Sequence, residues 1–256
     1  MTSDRDPFYV GYHPSAPTDI ARAFRLRVIV IAVAVLAAAA LLAAAQRREE
    51  PGVFEFGHVR HLHGRVEEFP YPSLLVPGTG MTGRDAAYTR YLLVATGKHG
   101  AQLLAAGLDG RWVDLRGTRI ARPGREMLEV VAGSVIPQPE DTLAASVRLP
   151  ALEQLGRRTL EGEVVDSKCW LGVMRPATGN VHRGCAARCL SGGIPPLLMT
   201  TDSTGATAHY LLTDAEGRPA QAWFADLVGR RVRLSGAVVR DGDLLVMRVE
   251  QTSVAW

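Results

Sequence analysis

The chain has 256 residues, 47% of them hydrophobic and 21% charged, with a formal net charge of +3. That is the make-up of a folded protein of one large or two ordinary domains, not of a disordered chain. Aromatics are only 6% and the small charge is spread out, so no basic, aromatic-interleaved surface stands out and nucleic acid is not an expected partner.

Residues 1–27 read as a cytoplasmic tail containing "DPFYVGYHPSAP". Val28 to Ala45 is an uninterrupted apolar run of eighteen residues, which predicts a transmembrane helix over 28–46. At about 1.5 Å of rise per residue, such a run just crosses a hydrocarbon core of about 30 Å. A cleavable signal peptide is the competing reading, because "AAAQ" offers small residues near Ala45; the long leader before the run favours an uncleaved anchor. Arg22, Arg25 and Arg27 precede the span, and Arg47 and Arg48 follow it. The positive-inside bias then puts the N-terminus in the cytoplasm and the main domains in the periplasm of a bacterial inner membrane.

The rest of the chain repeats itself. "YLLVATGKHGA" from Tyr91 matches "YLLTDAEGRPA" from Tyr210, and Gly110 and Gly117 match Gly229 and Gly236 at the same offset of 119. The opening glycines, Gly64 and Gly162, are offset by only 98, so the second copy carries about 21 extra residues. Each copy reads as strand-strand-strand-helix-strand-strand, the order of a five-stranded Greek-key barrel of OB type. The expected fold is therefore mainly β with short helices: one transmembrane helix, then two tandem OB-like β-barrels. The first spans 55–137, a linker 138–158, and the second 159–256 with an inserted Cys/His helix.

Within the first copy, "GHVRHLHG" places His61 and His63 on one strand face, as a weak chelator or as solvated histidines beside His58. Lys98 and His99 read as a loop with a weak phosphate-binding signal, and "RGTRIARPGRE" as a solvated basic hairpin. "FPYP", Phe69 to Pro72, stands where the second copy has its cysteine. With no thiol there, the first barrel is expected to be structural or to dock a partner.

The surplus segment holds every cysteine of the chain, Cys169, Cys185 and Cys189. "NVHRGCAARCL" reads as a helix capped by Asn180 and stopped by Gly192-Gly193. On it His182, Cys185 and Cys189 stand at i, i+3 and i+7 and share a face. If the helix packs on the barrel mouth it aims them at Cys169, expected at the first strand's end. Three thiolates and an imidazole are a tetrahedral set for Zn, and the thiolates also suit Cu(I). Met174 reads as a core gap-filler. Two other readings stand beside the metal site: a structural disulfide between two of Cys169, Cys185 and Cys189, and a redox-active thiol set. No haem-attachment, iron–sulfur, nucleophile-elbow, Walker or dinucleotide motif appears.

"GEVVDSKCWLGVM", "HRGCAARC" and "GGIPP" resemble segments of a family of single-pass bacterial membrane proteins with an OB-like outer domain. The resemblance covers mainly Gly162 to Pro196 and implies that the cluster is a family feature, with no assigned activity to carry over. The expected function is a non-catalytic, membrane-anchored periplasmic metal-binding or redox-accessory subunit with a membrane or periplasmic oxidoreductase partner. The alternatives are a thiol-disulfide redox protein or sensor, and a structural interaction module with a disulfide-stapled insertion.

Overall fold

The computed structural model describes residues 17–46, 51–78, 88–139, 152–202 and 205–254. The expected tail as far as residue 16, Arg47 and Arg48, and most of the expected linker lie outside them. Two compact units result, 1–50 and 51–256. In the first, helix α1 runs Thr18–Gln46, ten residues further toward the N-terminus than the expected span. Its Ile20–Ala44 stretch of 25 residues is long and apolar enough to cross a membrane.

The second unit holds both barrels. In the first barrel, β1 (Val53–Glu67), β2 (Ser73–Pro77), β3 (Tyr88–Ala95), the single-turn helix α2 (Gln102–Ala105), β4 (Trp112–Arg122) and β5 (Arg125–Val130) follow one another, and β6 (Ile136–Pro137) is a two-residue pairing on β4. β1 pairs antiparallel with both β2 and β4, β2 pairs with β3, and β3 runs parallel to β5. The ring closes in the order 1-2-3-5-4-1, as an OB-fold does.

In the second barrel, β7 (Glu153–Asp166), helix α3 (Gly179–Ser191), β8 (Pro196–Thr201), β9 (Thr207–Thr213), the one-turn α4 (Gln221–Phe224), β10 (Arg231–Asp241) and β11 (Leu244–Val254) close in the corresponding order. β7 starts inside the expected linker. Both opening strands are bulged, next to Gly57 and Gly156, each with φ of +83°. Such a backbone favours glycine and lets a long strand bend around the barrel. Within "PAQAWFADLVG" only the one turn of α4 is helical, and Phe224 and Val228 are its fully buried side chains.

The barrels are packed against each other. One buried cluster takes Tyr71, Leu92, Val94 and Ile120 from the first barrel and Val165, Leu211 and Val246 from the second. Each such side chain contributes roughly 1.5–3 kcal/mol when withdrawn from water. Tyr71, from "FPYP", donates its hydroxyl to the Leu212 carbonyl at 2.8 Å and accepts from the Ala220 amide at 3.2 Å. Burial pushes that phenol above its usual range.

The "RGTRIARPGRE" hairpin is not solvated as expected. The Arg122 guanidinium lies 3.7 Å above the Trp170 ring, and Arg125 reaches the Asp243 carbonyl at 3.1 Å. Buried Arg90 pairs with Glu67 and with Asp241 and Asp243 at 3.1 and 3.3 Å. Their heads find partners on the other barrel: the Trp170 ring for Arg122, and Asp241 and Asp243 for Arg90 and Arg125.

His209 lies beside Trp170, ring centroids 5.5 Å apart. Burial first, then the charges of Arg125 and Arg122, hold its pKa down to about 4. Above pH 6.5 the ring is neutral both folded and unfolded. As pH falls from there toward 4, the unfolded chain takes up a proton that the folded chain refuses, and stability drops by up to about 3 kcal/mol. Melting temperature measured from pH 7 to 4 is expected to fall more steeply for the native chain than for His209→Gln.

Candidate metal centre

β7 delivers the chain to the seam between the barrels. Asp166, its last residue, is fully buried. Its Oδ1 accepts the Cys169 amide at 2.8 Å, and its Oδ2 lies 2.9 Å from His182 Nε2. Those two bonds fold the backbone into a π-helical turn over Cys169–Val173, so Cys169 opens this turn and does not end the strand. Gly172 passes so close to Val53 that a Cβ on it would stand 2.7 Å from the Val53 backbone.

α3 follows over Gly179–Ser191, the expected helix lengthened by one residue at each end. The N-cap is Thr178, not Asn180, and the Glu163 carboxylate on β7 accepts the Gly179 amide at 2.5 Å. A negative group at a helix N-terminus is favourable, and it ties the insertion to its own barrel. His182, Ala186, Cys189 and Leu190 form the buried stripe of α3, with Cys185 half-buried beside it. Gly192 ends the helix, its amide bonding back to Arg188 and Cys189 carbonyls. Met174 is 44% exposed and fills no core gap, because the π-turn swings the chain outward after Val173.

The sulfurs of Cys169, Cys185 and Cys189 all lie within 4.8 Å of one another. A second group, equally close, consists of Asp166, Cys169 and His182. Cys169 belongs to both. The four residues of the sequence reading therefore split: three sulfurs converge, while the imidazole turns its Nε2 to Asp166. In a four-coordinate zinc site, bonds of about 2.3 Å put sulfurs about 3.8 Å apart, so small movements of the thiols would enclose an ion. All three cysteines are free, so the disulfide reading has no bond in this structure to rest on.

Three residues that the sequence reading did not place here complete the surroundings. Lys98, from the loop after β3, brings its Nζ to 2.7 Å from Cys185 Sγ and 3.8 Å from Cys189 Sγ. Lys168, 3% exposed, donates to the Ala95 and Gly97 carbonyls at 2.9 and 2.6 Å and pairs with Glu129. Asp166 is the third. The Lys98 loop is also pinned by the Gly100 amide on the Gly192 carbonyl at 2.9 Å and by Gln102 Nε2 on the Gly193 carbonyl at 2.8 Å.

The electrostatics divide the cluster. The Cys169 thiol donates to the Cys189 sulfur; that bond, burial and nearby Asp166 lift Cys169 far above the ordinary thiol range. The same bond pulls Cys189 below it, against burial and with help from Lys98. Acceptance by the Cys185 sulfur holds the Lys98 ammonium above its usual value. The site thus has one proton-holding thiol, one sulfur biased to thiolate, and an adjacent cation. Such a set can bind a soft or borderline metal or exchange thiols.

His61 and His63 lie elsewhere, on the exposed face of β1. His63 Nδ1 is 2.7 Å from Asp114 Oδ1, and its ring stacks on Trp112.

No family model matches the chain, and no curated protein matches it. Among solved structures it is similar to a deletion mutant of the single-stranded DNA binding protein from Thermus aquaticus. Identity is 12%, coverage 80% of this chain and 96% of that one, and the TM-score 0.24. The neighbour is itself named as a nucleic-acid binder, against the expectation that nucleic acid is no partner, and that expectation is withdrawn. The expectation rested on composition and on presumed location, and neither describes the surface of a closed barrel. A likeness this distant assigns no ligand to this chain.

A Cβ at residue 192 would stand 1.8 Å from the Lys98 carbonyl oxygen. Gly192→Ala is expected to push the Lys98 loop off the cluster and destabilise the fold by roughly 1–3 kcal/mol, read by urea denaturation. Gly184→Ala, on the same helix with nothing within 4 Å of its Cβ, is expected to be neutral or slightly stabilising.

Proposed function

We propose that this is a membrane-anchored, non-catalytic metal-binding protein, held in a bacterial inner membrane by α1 with its N-terminus in the cytoplasm and its barrels in the periplasm. It serves as an accessory subunit to a membrane or periplasmic oxidoreductase. One observation carries the reading: three sulfurs, one from a turn and two from the helix that follows it, lie within 4.8 Å of one another, at a seam that buries two of the three. Converging sulfurs, one of them biased to thiolate, are soft donors that a cation would satisfy. The Asp166–His182 pair behind Cys169 is the kind of carboxylate–imidazole support that orients metal ligands. Zn and Cu are the ions the sulfur set fits. The anchor rests on the length and apolarity of Ile20–Ala44, and the orientation on Arg22, Arg25 and Arg27 preceding the uninterrupted apolar run Val28 to Ala45.

A thiol-disulfide protein or redox sensor is the second reading, favoured by the Cys169-to-Cys189 bond that biases Cys189 toward thiolate.

Metal content of the full chain purified in mild detergent separates them. About one equivalent of zinc or copper per chain, lost in Cys185→Ser, is expected for the metal site. Metal-free protein whose thiol titre falls by about two on mild oxidation, and recovers with reductant, would favour the redox reading instead. Co-purification of a stoichiometric partner is expected for an accessory subunit; its absence would remove that part of the proposal.

A further inference from the structure

Lys98 and Cys185 meet across the seam at an unusual distance. Their Nζ and Sγ are 2.7 Å apart. Sulfur is larger than oxygen, so it normally keeps an N–H donor beyond the roughly 2.7–3.2 Å of an N–H···O bond. A nitrogen and a sulfur bonded to one shared oxygen, with single bonds of about 1.5 Å and a bent angle, stand roughly 2.6 Å apart. The pair thus already holds the separation of a covalent N–O–S link.

Two further features suit that link. Lys98 is exposed and Cys185 half-exposed, so a small oxidant reaches both, whereas Cys169 and Cys189 are buried. The lysine is not a wandering surface chain. Its loop is fixed from one side by Lys168 on the Ala95 and Gly97 carbonyls and from the other by the Gly100–Gly192 bond. Between partners so placed, closure costs little additional ordering.

We infer that Lys98 and Cys185 form a reversible N–O–S cross-link that reports oxidising conditions and staples the two barrels across their seam. The step balances with dioxygen as oxidant: the Cys185 thiolate, the Lys98 ammonium and one dioxygen give the S–O–NH link and one water. One oxygen atom enters the bridge and the other leaves as water. Sulfur and nitrogen each give up two electrons, and two of the three ammonium protons go to the water. Four equivalents of a thiol reductant cleave the link back to thiol and amine, the bridging oxygen leaving as water and the reductant as two disulfides. Cross-linking removes Cys185 from the sulfur set, so the same event withdraws a ligand from any ion bound there. The inference does not rest on the metal reading, since it needs only the pair and an oxidant.

The test is intact-mass spectrometry of the full chain in mild detergent, stripped of metal with a chelator, exposed to air and compared with a reduced sample. The link adds about 14 Da, one oxygen gained and two hydrogens lost, and joins the Lys98 peptide to the Cys185 peptide. The gain is expected in the native chain and in Cys189→Ser, absent in Cys185→Ser and in Lys98→Arg, and reversed by a thiol reductant. Circular dichroism checks that each variant is folded. An unchanged mass overturns the inference. So does a loss of about 2 Da, the mark of a disulfide, or a gain of about 16 Da, the mark of a sulfenic acid. A 14 Da gain that persists in Lys98→Arg overturns it as well.

Discussion

One buried ammonium holds the arrangement together. Lys168 belongs to the second barrel by sequence, yet its three partners, the carbonyls of Ala95 and Gly97 and the carboxylate of Glu129, belong to the first. An ammonium out of water is tolerated only when its donors are all satisfied, and here that condition is met only when the barrels are docked. Its neighbours in the chain are the residues of the candidate site: Asp166 two positions before it and Cys169 one after. Docking the barrels, shaping the strand end and placing the first thiol are therefore a single event. The same bonds fix the loop that carries Lys98. A barrel taken alone would lose Lys98 from its thiols, or the thiols from Lys98.

The charges around the sulfurs are arranged on two sides. Behind Cys169 stands the buried Asp166–His182 pair; in front of Cys185 and Cys189 stands Lys98. The bond to Cys189, then burial and Asp166, keep the proton on Cys169, and the same bond, with help from Lys98, favours negative charge on Cys189. A divalent ion entering this set would displace the Cys169 proton and meet a Cys189 sulfur already biased to thiolate. An oxidant would meet Cys185 first, because only that sulfur is near solvent. Metal capture and oxidation therefore compete for one atom, and the barrel seam decides which reagent reaches it.

Much of the fold was legible in the sequence because strands and tight turns leave local signatures. The tight "RDGD" turn marks the β10–β11 hairpin, and the offset of 119 marks the repeat. The helical spacing of His182, Cys185 and Cys189 was legible for the same reason. What was not legible depends on contacts between the two copies. Lys98 looked like a loop lysine, and Arg122 and Arg125 looked solvated, because their partners lie across the seam, Cys185 being 87 positions away from Lys98. His182 satisfies the spacing of a ligand, but spacing could not show that Asp166, at the strand's end, would take its Nε2.

The duplication explains why the seam exists. In the first barrel, the connection after its opening strand plants the Tyr71 hydroxyl on the carbonyl of Leu212, in the last turn of residues of β9. In the second, the same connection plants Lys168 on the carbonyl of Ala95, the last residue of β3. β3 and β9 are the corresponding strands of the two copies. Each copy therefore docks on the other with the same element against the same target, which is the reciprocity of a two-fold dimer interface carried within one chain. In a true dimer both connections would have to be identical. Joining the copies released that constraint, so one connection could stay a short aromatic plug while the other grew by about 21 residues. The additional residues lie where both barrels meet, and that is why thiols from one copy and a lysine from the other share a site.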